Sequence, residues 1–311
     1  MAAPAAEITK SGVLVTTLTR PPRSLWKDAW WQFRRHRLAM VALGTLVFLI
    51  LFTLIGPLLY HTKIDDIDFL LSLKGPSAAH PFGTDDLGRD LLARLMFGGR
   101  ISIAVGLIAV LLAITLGTTI GAAAGFFGRF DNPLMRITDL FLSLPVLPLL
   151  LVIIYLFRDS LRSAFGPELG IFIMIVGVIG ILNWMPVARL VRASFLSLKQ
   201  KEFVEAARAI GARDRRIIVR HILPNVLSPV LVAATIGVGG AILTESTLSF
   251  LGLGFPSDVP TWGRILYDAR NYLDIAPHWA IFPGLAIFLT VLSINFIGDG
   301  LRDALDPRKT S

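Results

Sequence analysis

The chain has 311 residues, of which 54% are hydrophobic and 17% charged, with a mean hydropathy of +0.68. A soluble domain carries roughly 25% charged residues, so this composition excludes an ordinary soluble globular protein and marks a polytopic membrane protein, its core built helix against helix in lipid. With no cysteine, disulfides and cysteine-ligated zinc or iron–sulfur centres are excluded as well, and the meaning of the net charge of +8 depends on where the cations lie.

Residues 1–25 are polar, small and proline-containing (Pro4, Pro21, Pro22), with no apolar stretch beside a small-residue cleavage site. They are expected to form a disordered cytoplasmic tail. Residues 26–37 mix Trp26, Trp30 and Trp31 with Arg34, Arg35 and Arg37, the pattern of an interfacial helix with its rings among the headgroups. Beyond it, six uncharged stretches approach the roughly 20 residues that a helix needs to cross the hydrocarbon. They predict an all-α bundle of six transmembrane helices, at about 38–60, 101–128, 140–157, 169–188, 226–250 and 279–298. Pro145 and Pro148 interrupt the third and shortest, and Pro224 and Pro229 place the start of the fifth a turn later than its uncharged run.

The segment between the first two spans carries Asp65, Asp66 and Asp68, then the acid-rich run 80–90. A short amphipathic helix with Leu87, Leu91, Leu92 and Leu95 on one face is expected to lead into the second span, with Thr84 or Asp85 as its cap. The acids lack the alternating Asp/Asn ligands, turn glycine and late glutamate of a calcium loop, so they are assigned to capping and surface charge. In the second span, Ala113, Gly117, Gly121 and Gly125 recur every fourth residue, a flat face for close approach of another helix. Asn183 and Trp184, near Pro186, are candidates for lining a pathway, against an alternative of interhelical hydrogen bonding. Glu245 is the one acid of an otherwise apolar stretch and a third pathway candidate; the competing reading is a buried hydrogen-bonding group. Thr261 is expected to cap a short outer helix, which together with Trp279 supplies an outer aromatic belt.

The most charged interior stretch, 189–220, holds nine Lys/Arg and three acids. Within it, 202–224 reads as a helix-forming run with Glu205, Ala206 and Ala207, an interruption at Gly211, a second run with Ile217, Ile218 and Val219, and a stop at Pro224. That describes two short helices joined at a glycine and held outside the membrane. With the N-terminus inside, 21 Lys/Arg fall on the cytoplasmic side and nine on the other, so both termini are expected in the cytoplasm. The same bias accounts for the net charge, which faces anionic lipid and whatever docks from the cytoplasm, without nucleic acid.

No phosphate-binding loop, zinc-binding His pair or nucleophile elbow is present, and the five histidines are scattered. Catalysis and ATP hydrolysis by this chain are therefore not expected, and no cofactor is assigned to it. An ion-coupled secondary transporter would need intramembrane ion sites or repeated halves, and a membrane-embedded enzyme would need ionisable residues clustered at one depth. Neither pattern is visible.

Residues 205–224 resemble the cytoplasmic loop of the permease subunits of bacterial ABC importers, whose pattern is Glu-Ala-Ala, three residues, Gly, nine residues, Ile, one residue, Leu-Pro. Glu205, Ala206, Ala207, Gly211, Leu223 and Pro224 match in position, while His221, with Ile222 beside it, takes the Ile position. The runs 80–90, 245–254 and 295–303 through Pro307 resemble the dipeptide, oligopeptide and nickel branch, and its C-type subunit in particular, over about 25–308. The resemblance implies a type I importer permease fold in the bacterial inner membrane. It implies as partners a homologous second permease, two ABC ATPase subunits that bind ATP and Mg, and an external solute-binding protein. On that reading 189–224 is the coupling loop and its six matching residues meet the ATPase. The solute stays open among dipeptides, longer peptides, glutathione-like molecules and nickel chelates.

Overall fold

A computed structural model describes residues 25–305, and the expected tail up to residue 24 and the Pro307 stop lie outside the described residues. Among these residues the regular structure is helical, with a single isolated bridge between Thr84 and Asp90. Helix α1 (Leu25–Arg35) meets α2 (Arg37–Leu59) at His36, whose Nδ1 accepts the Ala39 amide at 3.1 Å. α3 (Leu91–Phe126), α4 (Gly128–Ser143), α5 (Val146–Phe165), α6 (Pro167–Ile181) and α7 (Trp184–Leu198) follow. α8 (Glu202–Ala209) is short. α9 (Asp214–Arg216) runs through a π turn, Ile217–Ile222, into α10 (Leu223–Phe250), and α11 (Trp262–Ala269) and α12 (His278–Leu305) complete the order. Five helical stretches among the described residues are long and apolar enough to cross a membrane, and α4 with α5 makes a sixth if the bent pair is one span.

The glycine face of the second span has its partner in α7. A side chain at Gly117 would collide with Val187, one at Gly121 with the Ala188 carbonyl and Val191, and one at Gly125 with Phe195. In lipid there is no hydrophobic gain from bringing two apolar helices together, so this contact depends on backbones close enough for dense van der Waals packing. The same logic holds α1 onto the chain's end. Gln32 Nε2 donates to the Asp303 carbonyl at 3.0 Å, and a side chain at Gly300 would meet Ala39 and Phe33. Trp30 and Trp31 remain half exposed on the outer side of α1.

Several helix boundaries differ from those the charge pattern suggests. The expected third span, 140–157, straddles a break at Leu144–Pro145, where the axis turns by 89° between α4 and α5. Proline removes an amide donor and disfavours the helical conformation of the residue before it, so the bend sits where the sequence requires one. The fourth continues into the charged segment as Pro167–Leu198, with Asn183 at its break, and the second begins ten residues before its uncharged run, at Leu91. Pro224 does not stop the helix that precedes it. It occupies the first turn of α10, and the π turn accommodates it: Leu223 N donates to the Ile218 carbonyl, a register that suits a proline with no amide to give to Arg220.

The segment between α2 and α3 is also more ordered than its composition suggests. Asp90, not Thr84 or Asp85, caps α3, its Oδ1 accepting the Ala93 amide at 2.8 Å; its Oδ2 accepts from the Tyr60 hydroxyl at 2.7 Å and lies 2.8 Å from His80 Nδ1. Asp85 is buried, and its Oδ1 accepts the amides of Leu87 (3.0 Å) and Arg89 (2.9 Å). Arg89 Nε donates to Asp85 Oδ2 at 2.7 Å, and Arg94 Nε lies 3.6 Å from the same oxygen. These two acids are internal, which corrects their assignment to surface charge. Asp65, Asp66 and Asp68 do lie exposed. Asp86 is half-buried, and that burial, with Asp85 beside it, raises its pKa above the ordinary carboxylate value despite Arg89. The expected aromatic belt is absent at two of its positions, because Trp262 and Trp279 are 0% and 1% exposed and form a buried core with Leu91, Leu95 and Ile287. Thr261 does cap α11, accepting the Arg264 amide at 3.2 Å.

Candidate coupling surface and pathway

Helix α8 starts with acids in its first turn, Glu202 and Glu205, and has Arg208 in its last, an order that complements the helix dipole. It ends in a Schellman motif. The Ala212 amide donates to the Ala207 carbonyl at 3.0 Å, the Gly211 amide donates to the Arg208 carbonyl at 2.9 Å, and Gly211 has φ +79°. No atom lies within 4 Å of where a Cβ on Gly211 would sit, so the demand for glycine is conformational and not steric. Gly211→Ala is therefore expected to loosen the end of α8 by about 1 kcal/mol, with Gly211→Asn costing less because asparagine tolerates the left-handed region. Hydrogen exchange of the α8 amides reads that order directly.

The two faces of α8 have different neighbours. Val204 and Ala207 are buried among Phe126, Phe195, Ile217, Ile222 and Val226, a cluster joining the ends of α3, α7 and α10. The rest of the helix surface is open: Glu205 and Ala206 are exposed, Phe203 on the flank is 42% exposed, and Ile210 at the C-cap is 86% exposed. Phe203, Ala206 and Ile210 are spaced i, i+3, i+7, one stripe on a helix, which is how an amphipathic helix presents anchors to a groove. Of the six motif residues, Glu205, Ala206, Gly211 and Pro224 face outward, Ala207 is buried in the cluster, and Leu223 packs half-buried against it. Ala207 thus seats the helix. Phe203 and Ile210 do not stand out in the motif; their exposure marks them, on the flank of α8 beside the face seated by Val204 and Ala207.

The three pathway candidates separate in space. A cavity of about 470 Å³ between α3, α6–α7 and α10 is lined by Ala109, Ala113, Asn183, Pro186, Gly237 and Thr244 among others, with no charged side chain. Asn183 Nδ2 donates to the Ile179 carbonyl at 2.7 Å, behind the break between α6 and α7. Trp184, next in sequence, is buried away from this cavity against Leu116, Ile120, Phe141 and Leu142. Glu245 also lies outside it. Fully buried, its carboxyl accepts from the hydroxyls of Ser249 (2.8 Å) and Ser102 (3.2 Å), while Ser102 Oγ also accepts the Trp262 amide at 3.3 Å. Trp262 Nε1 donates to the Leu95 carbonyl at 3.0 Å, so the network ties α3, α10 and the start of α11 together. A buried acid with hydroxyl donors on two helices is a tertiary fastening at this site.

Residues 113–311 match the family model described as binding-protein-dependent transport system inner membrane component, and residues 24–76 match the N-terminal TM domain of oligopeptide transport permease C. The dipeptide transport system permease protein DppC of Alkalihalophilus pseudofirmus is 43% identical over 93% of this chain and 91% of its own length. The oligopeptide transport system permease protein OppC of Escherichia coli K12 is 42% identical over 92% of both chains, and the glutathione transport system permease protein GsiD of E. coli O6:K15:H31 is 40% identical over 92% of this chain and 91% of its own. Among solved structures, a chain of the inward-facing MetNI methionine ABC transporter shares the fold at a TM-score of 0.55, with 20% identity, over 70% of this chain and 96% of that one. The chain accordingly belongs to the binding-protein-dependent transport system inner membrane components, as a C-type permease subunit of an ABC importer and not an ion-coupled secondary transporter.

Proposed function

We propose that this permease carries peptides or peptide-like solutes inward, paired with a homologous second permease and driven by two ABC ATPase subunits that dock on α8. The observation that carries the reading is the exposed stripe of Phe203, Ala206 and Ile210, on a helix that Val204 and Ala207 seat against the bundle and the Gly211 cap closes. ATP and Mg belong to the partner subunits, and an external solute-binding protein delivers the solute. The Lys/Arg bias supports placing α8 and both termini on the cytoplasmic side. Closure of the ATPases on ATP would draw the two coupling segments together, and because α8 shares one buried cluster with the ends of α3, α7 and α10, the movement would pass to the bundle as a rigid-body rotation.

The solute class rests on relatives named for dipeptide, oligopeptide and glutathione transport. An uncharged cavity with Asn183 and Thr244 as polar groups offers a passing peptide few contacts, which leaves selection to the binding protein. The test is to purify the tagged chain with its partners, identify them, and screen the associated binding protein against dipeptides, longer peptides, glutathione and nickel chelates. A peptide that both binds and stimulates ATP hydrolysis by the reconstituted complex is expected. Stimulation by a nickel chelate alone would overturn the solute class.

A further inference from the structure

A cleft of about 540 Å³ opens beside α8, where Phe126, Phe127 and Arg129 at the turn from α3 to α4 meet Lys199, Arg208 and Asp214. Three cations from three separate elements face one acid. None of Arg129, Lys199 and Arg208 forms an ion pair within 4.0 Å among the described residues. Two of them are nonetheless held in place. Lys199 Nζ donates to the Phe126 carbonyl at 2.6 Å and lies 5.4 Å from the centroid of the Phe126 ring, while the Arg129 guanidinium rests 4.6 Å over the ring of Phe130. An ammonium has three N–H donors, so Lys199 keeps two beyond the one given to that carbonyl. Like charges fixed around an open cleft raise its potential, and an anion relieves it.

What lies next to the cleft indicates which anion. α4 leads away from it with Phe130, Ile137 and Leu140 exposed, at 40%, 49% and 60%, along one side of the helix. A free phosphate or an acidic side chain has no use for such a track, whereas an acyl chain does. We propose that the cleft binds the phosphate of an anionic phospholipid, with Arg129, Lys199 and Arg208 around the headgroup and an acyl chain along Phe130, Ile137 and Leu140. Since Arg208 belongs to α8, the bound headgroup would join the coupling helix to the membrane surface. The inference goes beyond the transport reading, and its test needs no transport.

The whole complex, delipidated in detergent, is titrated with dioleoyl phosphatidylglycerol or dioleoyl phosphatidylcholine, and bound lipid is counted by native mass spectrometry. Preferential retention of phosphatidylglycerol is expected. A basic residue near an anionic lipid surface contributes about 1 kcal/mol, so R129Q/K199Q should weaken phosphatidylglycerol binding about 30-fold while leaving phosphatidylcholine unchanged. R208Q, a second and milder variant, should weaken it about 5-fold by the same reckoning. R215Q/R216Q alters two exposed arginines of α9 that do not line the cleft, and should bind like the wild type. An equal loss in R215Q/R216Q would make the effect diffuse charge and overturn the site. Displacement of the lipid by glycerol 3-phosphate or inorganic phosphate would reassign the cleft to a soluble anion. Absence of any phosphatidylglycerol preference in the assembled wild-type complex would overturn the proposal, as expected if a partner's acidic surface fills the cleft.

Discussion

Replacing Ile210 with aspartate is expected to strip the ATPase subunits from the purified complex while leaving the permease itself folded. Ile210 is 86% exposed, so the change takes almost nothing from this chain's own packing. In an interface, truncating an apolar anchor at the centre costs about 2 kcal/mol or more, roughly a 30-fold loss of affinity. A carboxylate in its place must also be desolvated, which adds to the loss. Ile275, 71% exposed in the segment between α11 and α12, is the matched control, and Ile275→Asp should leave the ATPases bound. Val204→Asp is the opposite control: it places a charge in the cluster that seats α8 and should unfold the segment. Gly211→Trp should abolish uptake without affecting membrane insertion, because an indole would project beside Ile210. ATPase subunits that co-purify undiminished with the Ile210→Asp variant, or solute-stimulated hydrolysis that survives in Gly211→Trp, would move the coupling surface elsewhere.

The contrast between Ile210 and the motif residues shows what a sequence of this kind reveals. Spans are legible because a run of twenty uncharged, apolar residues is stable almost nowhere but in lipid, and Gly117, Gly121 and Gly125 disclose a packing face because the spacing has a geometric meaning. Helix ends are not legible from charge. They are set by caps and by proline, so α3 starts at the Asp90 cap and not where the last arginine falls, and the 140–157 run hides an 89° bend at Pro145. Burial of a charge is harder still to read. Asp85 and Arg89, four residues apart, are compatible with a surface pair, and only the fold shows Arg94 arriving at the same carboxylate. Glu245 is a comparable case: its isolation in an apolar stretch is visible, but Ser102, 143 residues away, is not a partner that local sequence can supply. In the 202–224 segment the motif residues are legible as a pattern, but which side chains stand exposed on α8, Phe203 and Ile210 among them, is decided by how Val204 and Ala207 pack.

Asp85→Ala should be the most damaging single change in the half of the molecule that carries the α2–α3 segment, at about 3–5 kcal/mol, the range for removing one member of a buried ion pair. The cost is not the lost bonds alone. Arg89 and Arg94 are 7% and 1% exposed, and with Asp85 gone both guanidinium groups are left in the interior without their carboxylate. Arg94 cannot easily withdraw, because its Nη2 donates to the Ser257 carbonyl at 3.0 Å and its Nη1 to the Ile64 carbonyl at 3.3 Å, which pins the loop before α11 to the first turns of α3. Asp85→Asn keeps an oxygen for the Leu87 and Arg89 amides but loses the charge, so it should fall between wild type and alanine. Combining Asp85→Ala with Arg94→Met should recover part of the loss, since a buried pair replaced by apolar groups is far less costly than a pair broken on one side. Asp66→Ala, an exposed acid in the same segment, should stay within about 0.5 kcal/mol of wild type. Thermal unfolding of the detergent-solubilised complex, followed by size-exclusion chromatography, ranks the four variants. If Asp85→Ala unfolds alongside Asp66→Ala, the carboxylate is not holding these loops, and the uptake defect of an Asp85 variant would have to be sought in transport instead of in the amount of folded protein.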